Sequence, residues 1–260
     1  DTETLTQTQA CEMMKNTSTG FIKNVGQVLD FNKNVTPQVL YVLHGKNVNV
    51  FLTPSGLTYS LLRFKNDFSQ NLTVDELNHD QLLENSKERQ SFVDIARLDL
   101  ILKDATILKE TIMEDSYTNN STINYYGSPL GDDALNLQAC SQITIKNIYP
   151  NIDWVLKINE KEGFKYDFIV HPGGAASDIK LQYKGSTEIK LNEEKNKMAV
   201  YTPLGLIDEG KLICYTASNK NKVNATYQLN NCTATIIVNE YNKNETLIID
   251  LNEDYKKNNP

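Results

Sequence analysis

The chain has 260 residues, a net charge of −7 and 40% apolar residues. That apolar fraction is too high for a disordered chain, and the length is sufficient to bury a sizeable core in one large domain or in two lobes. The negative charge and the scattered lysines argue against nucleic acid as a partner, because phosphate binding requires clustered cations. No apolar segment approaches the roughly 20 residues of a membrane-spanning helix.

The first part of the sequence predicts strands after a polar start. Residues 1–20 are rich in threonine and glutamine, and we expect a loosely ordered lead-in there. From Phe21 onward, alternating segments are separated by short turns: Gln38–His44, Val48–Leu52 and Leu57–Phe64. Turns at this spacing predict a meander of antiparallel strands.

The segment from Lys65 to Gln90 is polar and charged and shows no alternation. Within it, Thr73–Glu76 resembles a helix capping box and is followed by leucines. We therefore predict one short surface helix in an insertion, whose ends would form the seam if the chain has two lobes. After the insertion, strand alternation returns and predicts a buried face made of Ala96, Leu98, Leu100 and Leu102.

The segment from Asn147 to Gly174 predicts the centre of the core. Its first half alternates around Ile152, Trp154, Leu156 and Ile158, and its second half around Phe164, Tyr166, Phe168 and Val170. A spacing of two places each row on one face of a strand, and the polar turn with glycine between the rows indicates a hairpin. The hairpin holds the only tryptophan of the chain.

The remaining sequence completes an all-β pattern. Residues 114–123 are predicted as a loop, and further short alternating segments follow His171. The sequence therefore predicts an antiparallel β-sandwich, or two sandwich-like lobes, with one short helical insertion. We expect one domain over residues 21–251, or two lobes over 21–113 and 124–251, and a polar tail over 252–260.

The cysteines indicate disulfides rather than a zinc site. The chain has four cysteines without a CxxC spacing: Cys11, Cys140, Cys214 and Cys232. An even number of cysteines is typical of proteins whose cysteines form disulfides in an oxidising compartment. Cys214 and Cys232 lie on candidate neighbouring strands, which favours a bond between them and leaves Cys11 for Cys140. The alternative is four unrelated buried thiols.

Several short motifs, in order along the chain, resemble those of one family: Phe21–Gln27, Leu52–Tyr59, Asn124–Gly127, Tyr149–Asp153, Tyr166–Gly173, Tyr201–Gly205 and Leu247–Asp250. The family is the β-rich domain of unknown function that precedes SBBP-type β-propeller repeats in secreted and surface proteins, many of them from Bacteroidota. Asn151, His171 and Leu251 depart from its motifs, and the sequence contains no such repeat. The resemblance implies export, a surface or periplasmic setting and a non-catalytic module, and it carries over no catalytic residues.

We therefore expect a non-enzymatic, extracytoplasmic module with a structural, adhesive or docking role, whose partner is a surface glycan or a protein. A second hypothesis is a glycan-binding module. Its candidate aromatic platform is Tyr125, Tyr126, Tyr149 and Trp154, although core packing is the favoured role of these side chains.

A third hypothesis is a divergent glycan-active hydrolase, because glycoside hydrolysis uses two carboxylates and Asp153 and Asp167 lie on the two strands of the central hairpin. Outward-facing or turn-anchoring roles are favoured for both, and the adjacent acids Asp208 and Glu209 are predicted to be solvated in a loop. No metal or cofactor is predicted, because the histidines lack partners at ligand spacing: His44, His79 and His171. The calcium-like start of the segment Asp30–Tyr41 lacks the required glycine and glutamate.

Overall fold

The computed structural model describes residues 20–30, 32–45, 47–65, 92–123, 136–159 and 163–252. All seventeen strands in these ranges belong to one hydrogen-bonded antiparallel sheet. The strands are β1 Phe21–Lys23, β2 Tyr41–His44, β3 Val48–Thr53, β4 Gly56–Lys65, β5 Phe92–Leu102, β6 Ile112–Ile123, β7 Leu137–Tyr149, β8 Ile152–Asn159, β9 Gly163–Val170, β10 Lys180–Lys184, β11 Glu188–Leu191, β12 Lys197–Thr202, β13 Gly205–Thr216, β14 Lys222–Val223, β15 Ala225–Asn230, β16 Thr233–Val238 and β17 Leu247–Asn252.

The sheet divides at the long strand β7. One edge of β7 pairs with β6, while the other pairs first with β1 and then with β8. From β1 the pairing continues through β2, β3, β4, β5, β10 and β16 to β15, which we call the first arm. From β8 it continues through β9, β17 and β13 to β12 and β11, which we call the second arm.

A single apolar core lies between the two arms. It contains Leu98 and Leu181 of the first arm as well as Trp154, Phe168 and Ile249 of the second, and all five side chains are completely buried. Burying one face of each strand in this way is what the alternation in the sequence requires. The single shared core explains why the two arms face each other.

The sheet curves until it nearly closes on itself. At the line of near closure, the Tyr227 N–H of β15 in the first arm donates to the carbonyl of Lys195, in the turn between β11 and β12 of the second arm, at 2.7 Å. We call this line the seam. The predicted all-β class is confirmed. The predicted sandwich is not, because β7 joins both arms into one sheet over the described residues.

The clearest patterns in the sequence correspond to observed strands. On β5 the predicted face of alanine and leucines is buried, whereas Ile95 on the other face is 45% exposed. The central hairpin forms as predicted, with Ile158 of β8 opposite Phe164 of β9 and Trp154 opposite Phe168. Both elements therefore place their apolar rows in the shared core.

The predicted loop over residues 114–123 is wrong, because these residues belong to β6. They pair with β7, for example Glu114 with Ile143 and Thr122 with Gln138, and the register shifts between Tyr117 and Thr122. The strands pair here through their backbones, and the sequence of this segment shows little alternation of apolar and polar side chains. The predicted helical insertion, nearly all of the lead-in and nearly all of the tail lie outside the described residues. Among the residues that are described, no helix is long and apolar enough to cross a membrane.

Candidate functional site

A pair of carboxyl groups lies on the outer face of the second arm. The pairing of β9 with β17 places Asp167 directly opposite Asp250. Asp167 is only 4% exposed, and Asp250 is half-buried. One oxygen of each carboxyl group, Oδ1, is buried without a hydrogen-bond partner. The structure thus brings together two acids that are far apart in the sequence.

Burial and the repulsion between the two carboxyl groups favour a shared proton. Lys157 Nζ of β8 donates to Asp167 Oδ2. Burial, followed by the negative charge of Asp167, raises the pKa of Asp250 to about 6, while Lys165 and Lys157 act in the opposite direction. Two carboxylates in contact cannot both ionise without a large repulsion. Asp250 is therefore an acid that gains and loses its proton not far from neutrality.

Asp153 of β8 stabilises a bulge in the neighbouring strand β7. Its Oδ1 accepts the Asn147 N–H at 2.9 Å, and its Oδ2 accepts Lys146 Nζ at 2.8 Å and lies 2.9 Å from His171 Nε2. Burial would raise the pKa of Asp153, but the hydrogen bonds from His171, Lys146 and Asn147 together lower it. The β7–β8 register shifts between Ile145 and Tyr149, so Asp153 fixes this irregularity.

The carboxylates considered in the sequence therefore do not form a direct pair. Asp153 lies opposite Ile169, and Asp167 lies opposite Val155. Each acid has its own polar partners, and the acid that Asp167 faces is Asp250. The sequence offered no signal for this pair beyond the position of Asp250 at the end of an apolar strand.

Glu209 is a second acid that sequence reasoning missed, and its predicted solvation in a loop is wrong. β13 runs without interruption from Gly205 to Thr216, and its register with β12 shifts beside Glu209. Asp208 Oδ1 accepts the Gly210 N–H at 2.9 Å and so stabilises this bulge. A bulge redirects side chains, and here it directs Glu209 into the core, where it is only 5% exposed.

The described aromatic candidates for sugar stacking lie in the core. Trp154 is completely buried, and Tyr149 is buried with its hydroxyl donating to the Lys103 carbonyl at 2.9 Å. Neither presents a free ring face. Tyr125 and Tyr126 lie outside the described residues.

The two described histidines and the described part of the calcium-like segment do not form a common site. His44 contacts Asn49, His171 contacts Asp153, and His79 lies outside the described residues. The Asp30 carboxylate accepts the N–H groups of Asn32 and Asn34 within its own turn. Over the described ranges, no group of three or more His, Cys, Asp or Glu side chains is placed to hold a metal ion.

The three cysteines in the described part of the chain are free thiols: Cys140, Cys214 and Cys232. Cys214 lies within β13, between β14 and β17, whereas Cys232 lies in the turn that joins β15 to β16. The predicted bond between Cys214 and Cys232 is not formed in this arrangement. Cys140 donates from Sγ to the Phe21 carbonyl, and its predicted partner Cys11 lies outside the described residues.

We expect two of these thiols to resist alkylation in the folded protein. Burial raises the pKa of Cys140 and that of Cys214 to about 12 each, from ordinary values of 9.0. The reactive thiolate is then about a thousandfold rarer at pH 8. Iodoacetamide treatment followed by peptide mass spectrometry should find both residues unmodified in native protein and modified after denaturation. Labelling that requires prior reduction would instead demonstrate a disulfide and contradict the free thiols.

These features define the class of protein: a large all-β domain in which acidic side chains are held in buried clusters on the strands. The sequence profile of one family, described as a domain of unknown function (DUF7948), matches residues 21–250, so the chain belongs to that family. The match spans the same residues as the motifs recognised in the sequence. Comparisons with curated proteins and with solved structures found no match.

Proposed function

We propose that this domain is a non-catalytic module of an exported protein, with a structural or docking role at the cell surface. The main support is how its polar and aromatic side chains are used. Asp153 fixes a bulge, and Trp154 and Tyr149 pack in the core, so these three described candidates for chemistry or sugar stacking serve the fold. The resemblance to domains that precede SBBP-type propeller repeats in Bacteroidota supports the extracytoplasmic setting.

The proposed setting can be tested in cells that produce the protein. External protease applied to intact cells should cleave the domain or release it, while a cytoplasmic marker remains intact. Recovery of the domain only in the cytoplasmic fraction, protected from the protease, would contradict export. A matched sample of lysed cells establishes that the protease cleaves the folded domain under these conditions.

A glycan hydrolase is the second candidate, and the carboxyl pair is the observation that favours it. Directly opposite residues of antiparallel strands have Cβ atoms about 4.5–5.5 Å apart, a spacing that overlaps the separation of about 5–5.5 Å between the two carboxyl groups of retaining glycosidases. Asp250, with a pKa raised to about 6, could act as the acid, and Asp167 as the carboxylate. The pair lies on the outer face of the sheet, beside Lys157.

We expect no turnover on a panel of glycans, either by the natural protein or by the variants Asp167→Asn and Asp250→Asn. These substitutions keep the shape of each side chain and remove its acid–base chemistry. Reducing-sugar release by the natural protein that is lost in both variants would overturn the non-catalytic proposal and establish the hydrolase. Asp153→Asn serves as a matched control, because Asp153 lies on the same face but outside the pair.

A further inference from the structure

A group of tyrosines surrounds Glu209 in the middle of the core. Each comes from a different strand, and all four are at most 3% exposed: Tyr59 of β4, Tyr166 of β9, Tyr183 of β10 and Tyr227 of β15. We call Glu209 and these tyrosines the Glu209 cluster. Since β4, β10 and β15 belong to the first arm and β9 and β13 to the second, the cluster joins the two arms across the core.

The hydrogen bonding of the cluster is incomplete. The Tyr166 hydroxyl donates to Glu209 Oε2. Glu209 Oε1 and the Tyr227 hydroxyl are buried without a hydrogen-bond partner, and the Tyr183 and Tyr227 hydroxyls both lie within electrostatic range of Glu209. An ionised carboxylate at this place would therefore be poorly compensated.

The charged neighbourhood does not supply a cation to Glu209. The adjacent acid Asp208 is paired with Lys197 Nζ of β12 at 3.3 Å, and within the described residues no ion pair reaches Glu209. Desolvation by burial raises the pKa of Glu209, hydrogen bonding to the Tyr166 and Tyr183 hydroxyls lowers it, and the charge of Asp208 raises it, with a net result of about 7.

The other titratable groups of the cluster stay neutral in this range. Burial raises the pKa of all four tyrosines well above the ordinary value of 10.0. Cys214, which lies near Tyr227, has a pKa raised by burial to about 12. Glu209 is therefore the member of the cluster that changes charge near neutral pH.

We propose that Glu209 is a proton-controlled latch between the two arms of the sheet. When Glu209 is protonated, the cluster is neutral and the arms close over it. When it loses the proton, an unpaired charge lies between the arms and weakens the seam. Tyr227 connects Glu209 to the seam, because its side chain faces Glu209 while its backbone N–H donates to the Lys195 carbonyl across the seam.

The direction of the pH effect follows from the raised pKa. The folded protein holds this proton more tightly than the unfolded chain, so the extra stability is fully present below pH 4.5 and is lost as the pH rises through about 7. The difference between the pKa of Glu209 in the unfolded chain and its pKa in the folded protein corresponds to a total increase of about 300-fold in the equilibrium constant for unfolding.

Amide hydrogen exchange at the seam tests the latch directly. After correction for the intrinsic exchange rate, protection of the Tyr227 amide should fall at least about tenfold between pH 5 and pH 8. In Glu209→Gln, which keeps an acceptor for Tyr166 and cannot ionise, protection should be equal at both pH values. Retention of the natural pH dependence in this variant would overturn the proposal, as would pH-independent protection of the seam in the natural protein.

Two further measurements distinguish the latch from a pH effect that arises elsewhere in the protein. Asp250→Asn removes the other acid of the described residues whose pKa is raised, and it should leave the response of the Tyr227 amide intact. If Glu209→Gln fails to fold, a carbon-13 NMR titration of glutamate carboxyl groups in the natural protein still decides the matter. A Glu209 midpoint near 7 supports the latch, and a midpoint near 4.5 overturns it.

Discussion

Replacing Trp154 with alanine should lower the free energy of unfolding by about 3–5 kcal/mol. The indole is completely buried, stacks on Phe168 with ring centroids 6.1 Å apart, and meets Tyr166 edge-on at 5.6 Å. Truncation would leave a large cavity between two strands of the central hairpin. Because both strands also pair with further strands of the sheet, they cannot collapse freely to fill it.

Urea unfolding of the natural protein and the variant, followed by circular dichroism, measures this loss. Trp154→Phe is the matched control, since it keeps a ring for Phe168 and removes an indole N–H that has no hydrogen-bond partner in the core. Its loss should be clearly smaller than that of the alanine variant. A change of less than about 1 kcal/mol in Trp154→Ala would show that the indole lies outside the core.

Those parts of the fold in which one face of a strand is buried could be predicted from the sequence. The central hairpin and β5 have an uninterrupted period of two, because every second side chain contacts the core. The same pattern led to the correct prediction that Trp154 lies inside. This reasoning uses only neighbouring residues, so it identifies strands without identifying which distant strands pair.

The features that were missed depend on distant pairing. The polar side chains of β6 suggested a loop, yet its backbone pairs with β7. Asp208 and Gly210 are typical turn residues, but pairing of β13 with β12 and β17 keeps them and Glu209 within a strand, where they form a bulge instead of a turn. Similarly, Asp250 meets Asp167 only because β17 lies beside β9. Near closure of the sheet is likewise a consequence of contacts between strands remote in the sequence.

Replacing Gly56 with alanine should destabilise the protein by about 3 kcal/mol, for two independent reasons. Gly56 begins β4 and has a φ of +137°, a conformation that side-chain-bearing residues rarely adopt. A Cβ atom there would also lie 2.2 Å from the Leu100 carbonyl oxygen and 3.2 Å from the Leu102 nitrogen. Both contacts are backbone atoms of β5, whose leucines are fixed in the core, so the strand cannot move away without disturbing the packing.

Gly173→Ala separates the two causes. Gly173 also has a positive φ, +90°, but the nearest atom to its added Cβ would be Asn151 Nδ2 at 3.3 Å, which belongs to a side chain that can rotate. This variant should therefore show mainly the conformational cost, about 1–2 kcal/mol, in the same urea experiment. The excess loss in Gly56→Ala measures the clash with β5. Equal losses in the two variants would mean that the turn before β4 does not lie tight against the backbone of β5, and would contradict the register that places Gly56 opposite Ile101.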